Sequence, residues 1–103
     1  MTNKLVSIVI SAYNEEGNIN KLYEELCKYT RSIQDTNFEI IFVNDGSTDD
    51  TLNKIKALQI NDDTIKIINF NKNYGHEIAM TAGMESAKGD AVIFMDSDLQ
   101  HPP

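Results

Sequence analysis

The sequence predicts an α/β protein in which helices cover a parallel β-sheet. Short apolar runs alternate along the chain with segments of helical periodicity, and polar residues follow each apolar run. The apolar runs are rich in β-branched residues, as is typical of strands buried in a sheet; they are residues 5–10, 38–43, 65–70 and 91–95. The resulting order β-α-β-α-β-α-β specifies parallel strands joined by right-handed crossovers.

Each gap between the predicted strands contains apolar residues at helical spacing. In the third gap, Gly83 allows a helix to pack closely on the sheet. The segment 47–50, Ser-Thr-Asp-Asp, resembles a capping box that would open the second helix. The apolar positions are Ile19, Leu22 and Leu26 in the first helix, Leu52, Ile55 and Leu58 in the second, and Ile78 and Ala82 in the third.

The composition indicates a single globular domain and excludes some classes of partner. The chain has 103 residues, of which 41% are hydrophobic and 24% charged. Its net charge of -7 argues against a nucleic-acid partner, which would require clustered lysine and arginine. Cys27 is the only cysteine and favours a reducing compartment. We therefore expect a cytoplasmic location, which includes the cytoplasmic face of a membrane.

Polar residues follow all four predicted strands. In parallel α/β sheets, ligands bind beyond the carboxyl ends of the strands, so these segments should meet at one edge. This concentration of polar groups predicts a ligand-binding site at that edge. Because the protein is acidic, its negative charge must be offset before the site can bind an anion. The segments are residues 11–16, 44–47, 71–76 and 96–100.

Asp96 and Asp98 are the candidate metal ligands. Residues two apart in an extended chain point to the same side, so both carboxylates can face one cation. Mg²⁺ and similar hard cations take oxygen ligands and often retain positions for substrate phosphates. A solvated acidic turn is the simpler interpretation of the pair. The position at a strand end and the need to offset negative charge favour a metal site.

The segment after the first strand permits two interpretations. Tyr13 can pack against a nucleobase, and Glu15 can accept a hydrogen bond from a ribose hydroxyl. Alternatively, Asn14 is the N-cap of the first helix, and Glu15 and Glu16 are first-turn acids that interact with the helix dipole. The two interpretations are compatible.

Two further segments carry weaker candidates. Asp45 is either a turn residue or an acceptor for a nucleobase N–H, with Gly46 allowing close approach of the backbone. His76 lies where the third helix begins and can meet an anionic ligand, although the helix dipole disfavours its cationic form there. Taken alone, a lone surface histidine more often has no such function.

Taken together, the four polar segments resemble the ordered motifs of the family-2 glycosyltransferases, which have the GT-A fold. The resemblance covers residues 5–103 and is closest to the branch that transfers sugars to polyprenyl or dolichyl phosphate. The matching segments are Ile-Ser-Ala-Tyr-Asn-Glu-Glu at 10–16, Val-Asn-Asp-Gly-Ser-Thr-Asp at 43–49, Asn-Tyr-Gly-His at 73–76, and Met-Asp-Ser-Asp-Leu-Gln-His-Pro-Pro at 95–103.

The resemblance implies a fold and a set of site residues. The chain would be the N-terminal half of a GT-A fold, a three-layer α/β/α arrangement with strand order 3-2-1-4. Residues 1–103 would form the nucleotide-sugar-binding part, ending shortly after the D-x-D motif. Asp96 and Asp98 would hold Mg²⁺ or Mn²⁺ on the donor diphosphate. The implied nucleotide-binding residues are Ala12, Tyr13, Glu15, Asp45, Gly75 and His76.

The resemblance also implies a reaction. The parent enzyme would transfer a sugar from a UDP- or GDP-sugar to a lipid phosphate or a saccharide hydroxyl, with inversion. The family's catalytic base lies downstream of the metal motif, so we expect this chain to be inactive alone. Two positions depart from the pattern: Ser11 stands where proline is frequent, and Asn44 where a second aspartate is common.

Two other functions and one physical property complete the expectations. A phosphohydrolase with an aspartyl nucleophile would normally carry its acidic pair after the first strand, whereas this pair follows the fourth. A non-catalytic nucleotide-binding or interaction module remains an alternative. We also expect the chain to self-associate through the apolar fourth strand, residues 91–95, whose edge is open in this part of the sheet.

Overall fold

The computed structural model describes residues 4–96, except the side chain of Asp96, and contains all seven predicted elements. The first two strands extend beyond the predicted runs, which places Ala12 and Asp45 at strand ends instead of in loops. In chain order the elements are β1 (Lys4–Ala12), α1 (Ile19–Arg31), β2 (Thr36–Asp45), α2 (Thr51–Asn61), β3 (Ile65–Phe70), α3 (His76–Ser86) and β4 (Ala91–Asp96).

The four strands form one parallel sheet in the order β3-β2-β1-β4. Ile8 of β1 lies opposite Ile40 of β2 on one side and Ile93 of β4 on the other. The central pair β1–β2 is therefore flanked by β3 and β4. This arrangement confirms the predicted strand order and brings the carboxyl ends of all four strands to one edge.

The helices lie on both faces of the sheet, which confirms the three-layer α/β/α architecture. α1 and α2 pack on one face, where Leu22 and Ile55 contact the core around Phe42. α3 packs on the other face, where Ala79 joins a cluster with Val9 and neighbouring strand residues. Because β1 and β2 are covered on both faces, their sequences read as continuous apolar runs and do not alternate with polar residues.

Gly83 explains how closely α3 approaches the sheet. A Cβ atom built on this residue would lie 2.2 Å from Cγ1 of Val9 and 3.3 Å from Cγ2 of Val43. The first distance is far inside van der Waals contact and the second is tight, so a side chain at this position would push the helix outward. The predicted role of Gly83 in close helix packing is consistent with this geometry.

A buried carboxylate that the sequence analysis did not identify lies within the α3 face of the sheet. Glu39 is 5% exposed and accepts hydrogen bonds from the Ser7 hydroxyl, from the Lys66 ammonium at 2.6 Å and from the backbone N–H of Lys88 at 2.7 Å. Burial alone would raise the pKa of Glu39, but the bonds from Lys66, Ser7 and Lys88 together lower it to about 2. The network joins β1, β2, β3 and the segment after α3, away from the carboxyl edge of the strands.

None of the helices in residues 4–96 has both the length and the apolarity needed to cross a membrane.

Candidate functional site

Three loops meet the carboxyl edge of the sheet, and the predicted nucleotide-binding residues lie in them or directly beside them. They are the β1–α1 loop (13–18), the β2–α2 loop (46–50) and the β3–α3 loop (71–75). Of the candidates, Ala12 and Asp45 are buried, Glu15 and Gly75 are partly buried, and Tyr13 and His76 are exposed. The structure thus places all six predicted nucleotide-binding residues along one edge.

Asn14 joins the first two loops. Its backbone adopts a left-handed conformation with φ of 51°. Its side-chain Oδ1 accepts hydrogen bonds from the backbone N–H of Thr48 at 2.8 Å and of Asp49 at 3.3 Å. Its own N–H donates to the Ser47 hydroxyl at 3.0 Å. The interpretation of Asn14 as the N-cap of the first helix is wrong, because this side chain binds the β2–α2 loop instead.

The two glutamates that follow continue this connection through their backbone. The N–H of Glu15 donates to the Thr51 hydroxyl at 2.8 Å, and the N–H of Glu16 donates to Asp49 Oδ2 at 3.3 Å. The glutamates are not first-turn acids, since α1 begins only at Ile19. The side chain of Glu15 accepts a hydrogen bond from Asn18 at 2.8 Å, which fixes one of its oxygens beside the loop.

The predicted capping box of the second helix is also wrong. α2 begins at Thr51, and its N-cap residue Asp50 makes no side-chain capping bond. Asp49 instead accepts a hydrogen bond from the N–H of Thr51 at 2.9 Å and another from the Thr51 hydroxyl. Burial opposes ionisation of Asp49, but these bonds to Thr51 and the one from Glu16 outweigh it and lower its pKa.

Asp45 ends β2 and holds the β3–α3 loop. Its carboxylate accepts hydrogen bonds from the backbone N–H of Tyr74 at 2.8 Å and of Gly75 at 3.0 Å, and from the Asn73 amide at 3.1 Å. The side chain is almost entirely buried, at 2% exposure. Asp45 therefore organises the loop that carries Gly75 and leads into His76. A carboxylate has about four acceptor positions, so these three bonds do not exhaust its capacity.

Gly46 allows the second and third loops to touch. Its φ of 71° lies in the left-handed region that favours glycine, and a Cβ there would lie 2.2 Å from the carbonyl carbon of Lys72. The close approach expected at this glycine is present, but its partner in this structure is the backbone of Lys72 and Asn73. The three loops thus form one connected surface.

Lys72 supplies positive charge at this otherwise acidic edge. It is the only basic residue in the sequences of the three loops. Its ammonium lies 5.2 Å from the centroid of the Tyr74 ring, which packs edge-on against Phe70 with the ring centroids 5.3 Å apart. The backbone N–H of Tyr74 also donates to the Asp45 carboxylate. The Lys72 ammonium therefore lies beside a ring whose backbone is bound to the end of β2.

Asn44 occupies a position where the family that the sequence resembles commonly has a second aspartate. Its side chain is 3% exposed, and its Nδ2 donates to Oδ1 of Asn69 at 2.8 Å. Among the described residues, its Oδ1 is a buried acceptor without a hydrogen-bond partner. A neutral amide here leaves less negative charge next to Asp45 than the common pair of aspartates would.

The candidate metal ligands are only partly described. Asp96 is the last residue of β4, and its backbone lies in register with Ser11 at the end of β1. Asp98 lies outside the described residues. Within residues 4–96, no group of three or more histidine, cysteine, aspartate or glutamate side chains is placed to hold a metal ion. Asp96 is therefore at the predicted edge, and its role as a metal ligand remains a prediction.

Relatives of known name match this chain over nearly all of its length. CsbB of Bacillus subtilis, which is named as a glycosyltransferase, is 47% identical over 102 residues, covering 99% of this chain and 31% of that protein. The undecaprenyl-phosphate 4-deoxy-4-formamido-L-arabinose transferase of Proteus mirabilis is 40% identical over 99 residues, covering 95% of this chain and 30% of that protein. The chain thus spans about a third of the length of these curated relatives.

Solved structures show the same fold. TarS 1-349 of S. aureus in complex with UDP-GlcNAc superposes with a TM-score of 0.74 at 31% identity, over 90% of this chain and 26% of that chain. Glucosyl-3-phosphoglycerate synthase from Mycobacterium tuberculosis, in complex with Mn²⁺, UDP and glucosyl-3-phosphoglycerate, superposes with a TM-score of 0.72 at 25% identity, over 96% of this chain and 35% of that chain. The predicted GT-A fold is confirmed.

The family follows from the match of a sequence profile. Residues 7–103 match the family described as glycosyl transferase family 2, which leaves only the first six residues outside the match. With the parallel sheet in the predicted order and the polar loops at its carboxyl edge, this match identifies the chain as a member of glycosyl transferase family 2.

Proposed function

We propose that residues 1–103 form the nucleotide-sugar-binding part of a glycosyltransferase that uses a divalent cation. The observation that supports this most directly is the connected surface of three polar loops at the carboxyl edge of the sheet, anchored on Asn14, Asp45 and Gly46. This edge is where parallel α/β sheets bind their ligands. TarS, which shares the fold at 31% identity, has been solved with UDP-GlcNAc.

The six predicted nucleotide-binding residues of this surface would contact the nucleotide or lie beside it. Tyr13 has 45% of its surface exposed and can pack against the base, next to Ala12 at the end of β1. Glu15 can accept a hydrogen bond from the ribose with the oxygen that Asn18 does not occupy. Asp45 would accept from a base N–H with its remaining acceptor capacity, and Gly75 and His76 would lie beside the nucleotide.

We expect a Mg²⁺ or Mn²⁺ ion to bind at the D-x-D motif, which begins at the last residue of β4. Asp96, whose backbone ends β4 at this edge, would supply one carboxylate, and Asp98 would supply a second. Two carboxylates are enough for such an ion, because substrate phosphates and water complete its coordination. When bound, the metal would stabilise negative charge on the departing nucleoside diphosphate. Glucosyl-3-phosphoglycerate synthase, at 25% identity, has been solved with both Mn²⁺ and UDP.

The acceptor that we propose for the longer protein is a polyprenyl phosphate, with inversion at the transferred sugar. The name of the Proteus mirabilis relative supports this class of acceptor. A phosphate monoester is largely ionised near neutral pH, with a second pKa of about 6, so it needs little assistance from a base. A hydroxyl acceptor would depend on general-base catalysis, worth about 10²–10⁴-fold, from a residue beyond position 103.

Nucleotide binding should depend on the divalent ion. The ligand-facing edge carries Glu15, Asp45 and Asp96 against the single lysine Lys72, so a diphosphate would meet net repulsion without a cation. In isothermal titration calorimetry, UDP or GDP should bind in the presence of Mn²⁺ or Mg²⁺ and lose most of its affinity when EDTA is added. Binding that chelation leaves unchanged would contradict the metal assignment, and binding of neither nucleotide would contradict the proposed function.

The chain should also self-associate through β4. Within residues 4–96 this strand lies at the edge of the sheet, beside β1 only, and Phe94 is 44% exposed. An open strand edge and an exposed aromatic side chain both favour pairing with a second copy. Sedimentation velocity should show a dimer or larger species that grows with protein concentration, and Phe94→Lys should shift it toward the monomer. A wild-type chain that stays monomeric at the highest concentrations would contradict the proposal.

A further inference from the structure

We infer that Asn14 is a positioning residue for residues 13–16 of the β1–α1 loop, which it holds against the β2–α2 loop. The inference rests on the proposed function, because Tyr13 and Glu15 lie on either side of Asn14 and are the residues proposed to contact the nucleotide. Asn14 itself would act through the orientation of these two neighbours.

The first support is the set of bonds that this one residue makes. Its Oδ1 accepts from Thr48 and Asp49, and its N–H donates to Ser47, so that a single residue contacts three consecutive residues of the other loop. The N–H groups of Thr48 and Asp49 precede α2, so the helix itself offers them no acceptor. Asn14 supplies this acceptor from the β1–α1 loop. The conformation of the β1–α1 loop therefore depends on that of the β2–α2 loop.

The second support is the backbone of Asn14. Asn14 lies in a bend shortly after β1 with a φ of 51°, and among residues with side chains this conformation is tolerated best by asparagine and aspartate. The turn leaves Tyr13 exposed at the edge and brings the N–H of Glu15 to the Thr51 hydroxyl. The left-handed turn and the side-chain bonds therefore both orient the two proposed contact residues.

The chain contains a matched control for the backbone effect. Asp35 is the only other described non-glycine residue with a positive φ, at 57°, and it lies exposed between α1 and β2 at the opposite edge of the sheet. Replacing either residue with glycine preserves access to the left-handed conformation and increases the flexibility of the unfolded chain similarly. Only Asn14→Gly removes the acceptor that joins the two loops.

The test combines nucleotide titration with backbone hydrogen exchange in wild type, Asn14→Gly, Asn14→Asp and Asp35→Gly. With Mn²⁺ and whichever of UDP or GDP binds wild type, Asn14→Gly should weaken binding by about tenfold, the equivalent of one net hydrogen bond. Exchange at residues 13–16 should accelerate at least as much, while exchange in the strands stays unchanged. Asp35→Gly should alter neither the nucleotide affinity nor exchange at 13–16.

Asn14→Asp keeps an acceptor oxygen and tolerates the left-handed turn, so it should restore slow exchange at residues 13–16. The inference is overturned if Asn14→Gly leaves the affinity within about twofold of wild type, or if Asp35→Gly weakens it equally. It is also overturned if Asn14→Asp exchanges as fast as Asn14→Gly. If wild type binds neither nucleotide, the proposed function fails, and the exchange measurements alone decide whether Asn14 holds the loop.

Discussion

Replacing Gly46 with alanine should destabilise the protein more than any other glycine substitution in the three loops of the site. The new Cβ would lie 2.2 Å from the carbonyl carbon of Lys72 and 2.3 Å from the backbone nitrogen of Asn73, and backbone atoms cannot move aside as a flexible side chain can. The φ of 71° adds the cost of a left-handed conformation, about 1–2 kcal/mol for a residue with a Cβ. We expect a total loss above about 3 kcal/mol in the free energy of unfolding.

Two other glycines separate the contributions. Gly75 has a φ of 105° and a ψ of 157°, a conformation almost restricted to glycine, but no atom within 4 Å of its hypothetical Cβ. Gly75→Ala should therefore show a backbone cost of about 1–3 kcal/mol without a clash. Gly17 has neither a positive φ nor a close neighbour, and Gly17→Ala should change stability by less than about 0.5 kcal/mol. Urea denaturation should therefore show the largest loss in the free energy of unfolding for Gly46→Ala, a smaller loss for Gly75→Ala and the smallest for Gly17→Ala. A loss for Gly46→Ala no larger than the left-handed backbone cost of about 1–2 kcal/mol would mean that the loops separate at little cost.

The difference between these glycines shows what the sequence could and could not predict about the site. Because parallel strands bring their carboxyl ends together, the apolar runs were sufficient to predict the layers and the gathering of polar segments at one edge. Which loop atoms bind one another depends on backbone angles such as those of Asn14 and Gly46, and a residue pattern does not specify these angles. The N-cap prediction for Asn14 is wrong for that reason, since asparagine favours N-caps and left-handed turns alike.

The buried network around Glu39 was missed for a different reason. A glutamate in an otherwise apolar strand, 38–43, was a visible signal, because a carboxylate buried in a sheet requires partners. Its partners became identifiable only with the register, which places Ser7 directly opposite Glu39. Lys66 of the next strand and the N–H of Lys88 then complete the set. The strand order alone could have suggested β1 and β3 as their source, but not these residues.

Replacing Asp96 or Asp98 with alanine in the full-length protein should abolish glycosyl transfer without unfolding the protein. If both carboxylates bind the metal on the donor diphosphate, losing either one removes several kcal/mol of transition-state stabilisation, about 10³-fold or more in turnover. The same substitutions in residues 1–103 should leave the melting temperature in metal-free buffer unchanged or slightly higher, because two adjacent like charges repel each other when no cation is bound.

Asp63→Ala provides the control for lost charge, since Asp63 is exposed in the turn between α2 and β3 at the opposite edge of the sheet. It should retain both turnover and the rise in melting temperature that Mn²⁺ with nucleotide produces in wild type, a rise expected of any ligand that binds only the folded state. The Asp96 and Asp98 variants should show no such rise. A large fall in the melting temperature of the Asp96 or Asp98 variant without metal would instead assign the pair a structural role. Turnover at the wild-type rate in these variants would exclude both residues from the metal site, because a metal ligand at the reacting diphosphate cannot be lost without cost to the reaction.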